Sequence, residues 1–181
     1  NSSNMLLVAT NGKFDFFKCL CCRHIESLAI DDTISEIKEE SNITNNSSLN
    51  KNTSYIKLDI KNSTDYNFNI TSSSAVNIEL YDVSLNQINI IKTITNSNCD
   101  ISFEKYLFSG IYYIKCTFLN NITSGTISTN IIGEPHSHAY NNMYTWIDTT
   151  THKGICRCSA SIIQGHAVLK GQSICVSCGG I

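Results

Sequence analysis

Between residues 55 and 132 apolar side chains recur at every second position, in one short run after another. "YIKLDI" puts Ile56, Leu58 and Ile60 on one side of an extended chain, and "YNFNI" does the same with Tyr66, Phe68 and Ile70. "VNIEL" continues with Val76, Ile78 and Leu80, "INII" with Ile88 and Ile90, and "ISF" with Ile101 and Phe103. "YYIKCTF" adds Tyr112, Ile114, Cys116 and Phe118, and "TISTNI" closes with Ile127, Thr129 and Ile131. Side chains of a strand alternate between its two faces, so a period of two predicts strands with one dry and one wet face. Asn, Ser, Asp or Gly, which favour turns, bound each run. The pattern predicts a mainly β chain built on an antiparallel, jelly-roll-like β-sandwich. Phe68, Ile78, Leu80, Tyr112 and Ile114 are expected in its core.

The flanks read differently. In 1–30, "MLLVAT" suits a short strand, but "KFDFFKCLCCRHIESLAI" mixes its apolar spacings and predicts a short helix or docking segment. Cys19, Cys21 and Cys22 crowd there beside His24. A vicinal Cys21–Cys22 disulfide would be strained, so these thiols pair elsewhere or stay reduced, and a metal role with His24 is the alternative. "DDTISEIKEE" suits a helix capped by Asp32, and the Asn/Ser run after it reads as loop.

Composition narrows the setting. Only 15% of residues are charged and the net charge is −2, which points away from nucleic acid and from membrane surfaces. Abundant Asn, Ser and Thr fit the wet faces of an extracellular β-protein. The longest apolar run, Met5 to Ala9, is far short of the roughly 20 residues of a membrane span. The chain begins at Asn1 rather than Met and reads as a piece of a longer protein. The several Asn-x-Ser/Thr triplets are what a chain so rich in these residues produces by chance.

Three stretches carry a resemblance: Tyr55–Ile60, Ile78–Asp82 with the turn at Ser84–Gln87, and Ser109–Cys116 ("SGIYYIKC"). Over about residues 31–132 they resemble the bacterial pre-peptidase C-terminal domain. That resemblance implies a β-sandwich, a strand or loop in place of the helix over "DDTISEI", and a non-catalytic appendage of secreted peptidases and other surface enzymes. Cys99 and Cys116 depart from the family pattern. Read as opposite positions of a hairpin, they suggest a disulfide, with a buried Cys116 thiol as the alternative.

Residues 133–181 form a second expected unit, opening at Gly133–Pro135. "HKGICRCSASIIQGHAVLKGQSICVSCGG" places Cys156-x-Cys158 and Cys175-x-x-Cys178 on either side of His166, with His152 just before. With His138, Tyr140 and Trp146 it resembles the Cys/His-rich tails of secreted Firmicutes proteins, although Ser159 replaces the glycine expected after the first pair. Fewer than 50 residues bury too little apolar surface to fold unaided, so the unit needs a staple. One option is a zinc ion held by Cys156, Cys158, Cys175 and Cys178, with His152 or His166 as substitute ligands. The other is a pair of disulfides formed after export. A thioredoxin-like use of Cys175-x-x-Cys178 lacks the strand before and the helix after that such a motif needs. His136 and His138 read as part of a polar linker.

Gly-x-Ser-x-Gly, His-Glu-x-x-His and Gly-x-x-x-x-Gly-Lys are all missing, and no catalytic constellation emerges. Three function classes follow. The first is a non-catalytic accessory module of a secreted or cell-surface bacterial protein, binding protein or cell-wall polysaccharide. The second is a self-associating fibre or appendage subunit, cross-linked through the cysteines of 1–30. The third is the C-terminal part of a secreted peptidase.

Overall fold

The fold is given by a computed structural model that describes residues 4–94, 99–140, 144–166 and 175, with 89–94 and 99 described by their backbone alone. The described residues form strands and connections without a helix. They divide into two compact units, Asn1–Pro135 and His136–Ile181.

The larger unit opens with β1 (Met5–Thr10), β2 (Phe14–Cys19) and β3 (Ile25–Ala29), a three-stranded antiparallel sheet in that order. The helix expected here is therefore replaced by a strand meander. The alternation was masked because both faces are apolar. Asp15 and Phe17 are buried, while Phe14 and Leu6 on the other face are exposed.

Next come β4 (Asp32–Ile37), β5 (Asn42–Leu49), β6 (Thr53–Ile60), β7 (Thr64–Ser72) and β8 (Val76–Asp82). β9 (Gln87–Ile94), β10 (Cys99–Leu107), β11 (Gly110–Phe118) and β12 (Gly125–Glu134) complete the sandwich. One sheet has the order β10-β7-β12-β5 and the other β4-β6-β11-β8-β9. All pairings are antiparallel except β4 with β6, which is parallel. The core lies between the sheets, where Phe68, Ile78, Leu80 and Ile114 have no exposed surface and Tyr112 keeps 9%. Phe68 stacks on Phe103 with ring centres 4.7 Å apart. Two turns follow their sequence signals. The Asp82 carboxylate accepts from the Ser84 and Asn86 amides, each at 2.9 Å, and closes the β8–β9 turn. Gly110 opens β11 at φ +149°, a backbone conformation that L side chains rarely adopt.

Two local readings are corrected. "DDTISEI" is β4, not a helix, and the Asn/Ser run read as loop is β5. A polar strand survives there because its inward side chains solvate a carboxylate. Ser47 donates to Asp32 at 2.6 Å and Asn45 at 2.9 Å, which joins β5 of one sheet to β4 of the other. Burial raises the Asp32 pKa, but bonds from Ser47, Asn45 and the Thr33 amide outweigh it and hold the group below its usual 3.8.

The sandwich also has a covered outer face. The β1–β3 sheet packs Met5 and Phe17 against Tyr113 of β11, with Phe17 edge-on to Tyr113 at 5.8 Å. Asp15 sits in this layer at 1% exposure. Tyr113 donates to it at 2.7 Å and Lys57 approaches to 2.8 Å. The alternation read on β11 thus has two dry faces, because a third layer adds a second small core.

The expected Cys99–Cys116 disulfide does not form. β10 pairs with β7, opposing Cys99 to Ser72, whereas Cys116 of β11 faces Ser54 and Ile78 in the other sheet. Cys116 is a fully buried thiol, and burial pushes its pKa up to about 12. The Cys99 side chain lies outside the described residues.

Candidate metal centres

The His136–Ile181 unit carries β13 (Tyr144–Trp146), β14 (Thr151–Ile155) and β15 (Ser161–Gly165) in one antiparallel sheet, in that order. Its register places Tyr144 opposite Gly154. A Cβ on Gly154 would stand 2.8 Å from the Tyr144 ring, so any larger residue there would have to push this aromatic aside.

Candidate ligands sit at strand ends and turns. His152 lies on β14, and Cys156 immediately follows it. Cys156 to Ala160 form the tip of the β14–β15 hairpin, closed by Cys156 N–H to the Ala160 carbonyl at 2.8 Å and Ser159 N–H to the Cys156 carbonyl at 2.8 Å. Ser159 takes φ +71°, the left-handed conformation a glycine would adopt freely. The tip thus keeps its turn despite the substitution for glycine noted in the sequence.

The chain brings these side chains into two groups, each with ligand atoms within 4.8 Å of one another. One is His136, His138, Cys156 and Cys158, and the other is His152, His166 and Cys175. In the first, His136 Nε2 lies 3.3 Å from Cys156 Sγ and His138 Nδ1 lies 3.3 Å from Cys158 Sγ. In the second, His152 Nδ1 lies 3.4 Å from Cys175 Sγ. Nitrogen and sulfur donors on neighbouring corners of a zinc tetrahedron stand about 3.5 Å apart, given bond lengths of about 2.0–2.1 and 2.3 Å. These three contacts match that spacing, and the remaining ligand atoms of each group lie within 4.8 Å of one another.

Electrostatics and burial agree with that spacing. The Cys156 pKa falls to about 5. The Cys158 backbone N–H lowers it most, burial opposes, and His138, the Ala139 amide and His136 add to the fall. A thiolate is the form that ligates. His166 places Nε2 2.8 Å from the Asp148 carbonyl oxygen, which fixes the ring. Asp148 itself organises the β13–β14 turn. It accepts from the Thr150 and Thr151 amides at 2.7 and 2.8 Å, which holds its carboxyl down at about 2. Among the described residues of this unit the buried ones are His152, Gly154, Cys156 and Cys175, while Trp146, Ile147 and Ile163 are exposed. Candidate ligands take the place of an aliphatic core.

The sequence-predicted ligands are thus divided rather than gathered. Cys156 and Cys158 belong to one group, and Cys175, His152 and His166 to the other. Cys178 lies outside the described residues. No disulfide joins the described cysteines. His136 and His138, read from sequence as linker, supply half of the first group. The signal was available: His136-x-His138 repeats the spacing of Cys156-x-Cys158, and alternate residues of an extended segment point the same way. His138 also stacks on Tyr140, with centres 5.9 Å apart.

No family model matches the chain, and no curated protein matches it. Among solved structures it is similar to the pre-peptidase C-terminal domain of collagenase from Bacillus anthracis, at 15% identity and TM-score 0.40, over 55% of this chain and 93% of that one. It is also similar to Aeromonas hydrophila PliG, a periplasmic inhibitor of g-type lysozyme, at 15% identity and TM-score 0.34, over 56% and 97%. A β-glucosidase from Paenibacillus barengoltzii is matched at 11% identity and TM-score 0.31, over 55% of this chain and 11% of that one.

Proposed function

We propose that the His136–Ile181 unit is a knob stapled by two zinc ions, and that the chain is a non-catalytic accessory module of an exported or cell-surface bacterial protein. The observation that carries the reading is the pair of His/Cys groups, each with donors within 4.8 Å, of which His152, Cys156 and Cys175 are the buried side chains among the described residues of the unit. Mixed imidazole and thiolate donors in sets of three or four suit zinc better than hard cations, which take oxygen. Because the described residues of this unit bury so little apolar surface, ion binding supplies its folding free energy. Low charge and wet strand faces rich in Asn, Ser and Thr support an extracellular setting, with protein or cell-wall polysaccharide as the partner.

Trp146, the only tryptophan, lies in this unit and reports on it alone. A strong chelator should shift Trp146 emission to that of an unfolded chain while the far-ultraviolet β signal of the larger unit persists. If reductant unfolds the unit and chelator leaves it untouched, the staples are disulfides and the reading fails.

A further inference from the structure

The three cysteines of residues 19–22 are not used by the metal centres. Cys19 ends β2 and is half-buried against the Met5/Phe17/Tyr113 cluster, so its backbone is anchored. Cys21 and Cys22 are exposed in the turn that follows. Backbone hydrogen bonds hold that turn. Cys19 N–H donates to the His24 carbonyl at 2.8 Å, Arg23 N–H to the Cys19 carbonyl at 2.9 Å, and Leu20 N–H to the Asn4 carbonyl at 2.9 Å. Arg23 takes φ +60° to close it. The result places Cys19 Sγ 3.6 Å from Cys21 Sγ, with the Cys22 amide donating to the Cys19 sulfur at 3.5 Å. A disulfide needs about 2.05 Å, so bond formation requires the exposed Cys21 side chain to move towards Cys19.

We propose that Cys19 and Cys21 form a two-electron thiol–disulfide exchange centre at the β2–β3 hairpin tip, with Cys19 attacking a small-molecule disulfide and Cys21 resolving the product. The Cys19 thiolate attacks one sulfur of R–S–S–R. That S–S bond breaks, and RS⁻ leaves and takes a proton from water. Cys21 then gives its proton to water and attacks the Cys19 sulfur of the mixed disulfide, releasing the second RS⁻. The protein dithiol loses two electrons and the substrate disulfide is reduced to two thiols.

The order of attack follows from surroundings. Hydrogen bonds from Cys22, backbone first, and then from Cys21 draw the Cys19 pKa down to about 7, while the Cys19 neighbour raises that of Cys21. At neutral pH Cys19 is about half thiolate, against about 3% for an ordinary thiol, and its lower nucleophilicity leaves a net advantage of about threefold. Cys116 is the internal contrast, buried and therefore inert.

The test is incubation of the full reduced chain with oxidised glutathione, acid quench and tryptic mapping. Cleavage after Lys18 and Arg23 isolates "CLCCR", free of every metal-centre cysteine, so failure here is distinct from failure of the zinc reading. The expected product is this peptide short of two hydrogens, formed equally in Cys22→Ser. In Cys21→Ser the ring should be lost at least tenfold and glutathione should accumulate on Cys19. A ring that persists in Cys21→Ser, glutathione carried mainly by Cys22, or disulfide-linked dimers as the main product would each overturn the proposal. Far-ultraviolet circular dichroism confirms that each variant stays folded.

Discussion

Removing one hydroxyl should loosen the third layer from the sandwich. Tyr113→Phe keeps the ring that packs edge-on against Phe17 and deletes only the donor to Asp15, 2.7 Å away. Both side chains are almost fully buried, so water does not replace the lost bond. A hydrogen bond to a charged acceptor contributes about 1.5–3 kcal/mol. Asp15 retains Lys57 at 2.8 Å, so the cost should stay within that range instead of reaching the roughly 3–5 kcal/mol of an orphaned buried charge. Asp15→Ala should reach it, because it strands the Lys57 ammonium. Urea unfolding followed by far-ultraviolet circular dichroism measures both, and a double-mutant cycle with Asp15→Asn isolates the pair. Acid adds a second readout. Burial raises the Asp15 pKa, but Lys57, Thr10 and Tyr113 outweigh it and hold the folded value below 3.8. Stability from a depressed carboxyl is present above the unfolded value and lost as pH falls through the folded one. The wild type should therefore weaken below 3.8, and Asp15→Asn should flatten that decline. A Tyr113→Phe loss under about 0.5 kcal/mol, or no coupling to Asp15, would refute the reasoning.

Leu80→Ala removes a side chain with no exposed surface and should cost about 2–5 kcal/mol in the same urea experiment, with an unchanged slope. Ser159→Gly relieves a residue at φ +71° and should stabilise the zinc-loaded smaller unit by up to about 1 kcal/mol, read as a higher midpoint in Trp146 emission.

The sandwich was legible because its strands obey one rule. Ile56, Leu58 and Ile60, then Tyr66, Phe68 and Ile70, lie on the buried parity of β6 and β7. What escaped were strands whose partners lie far away in sequence. β5 looks like a loop until Asp32 of β4 is beside Ser47 and Asn45. β2 looks irregular because Phe14 and Phe17 are apolar on opposite faces, and only docking on Tyr113 distinguishes them. In the smaller unit the ligand types were visible, but their grouping was not. Spacing alone suggested that Cys156, Cys158, Cys175 and Cys178 share one ion. The β14–β15 hairpin instead sets the first two beside His136 and His138, and Cys175 lies beside His152.

Metal equivalents per chain, measured by elemental mass spectrometry after exhaustive dialysis against buffered zinc, test that division most directly. The account predicts two for the wild type. His136→Ala/His138→Ala should leave one ion, held by the His152 group, and His152→Ala/Cys175→Ala should leave one, held by the Cys156 group. A single equivalent in the wild type that vanishes when either Cys156 or Cys175 is replaced would contradict it, since all the cysteines would then serve one ion.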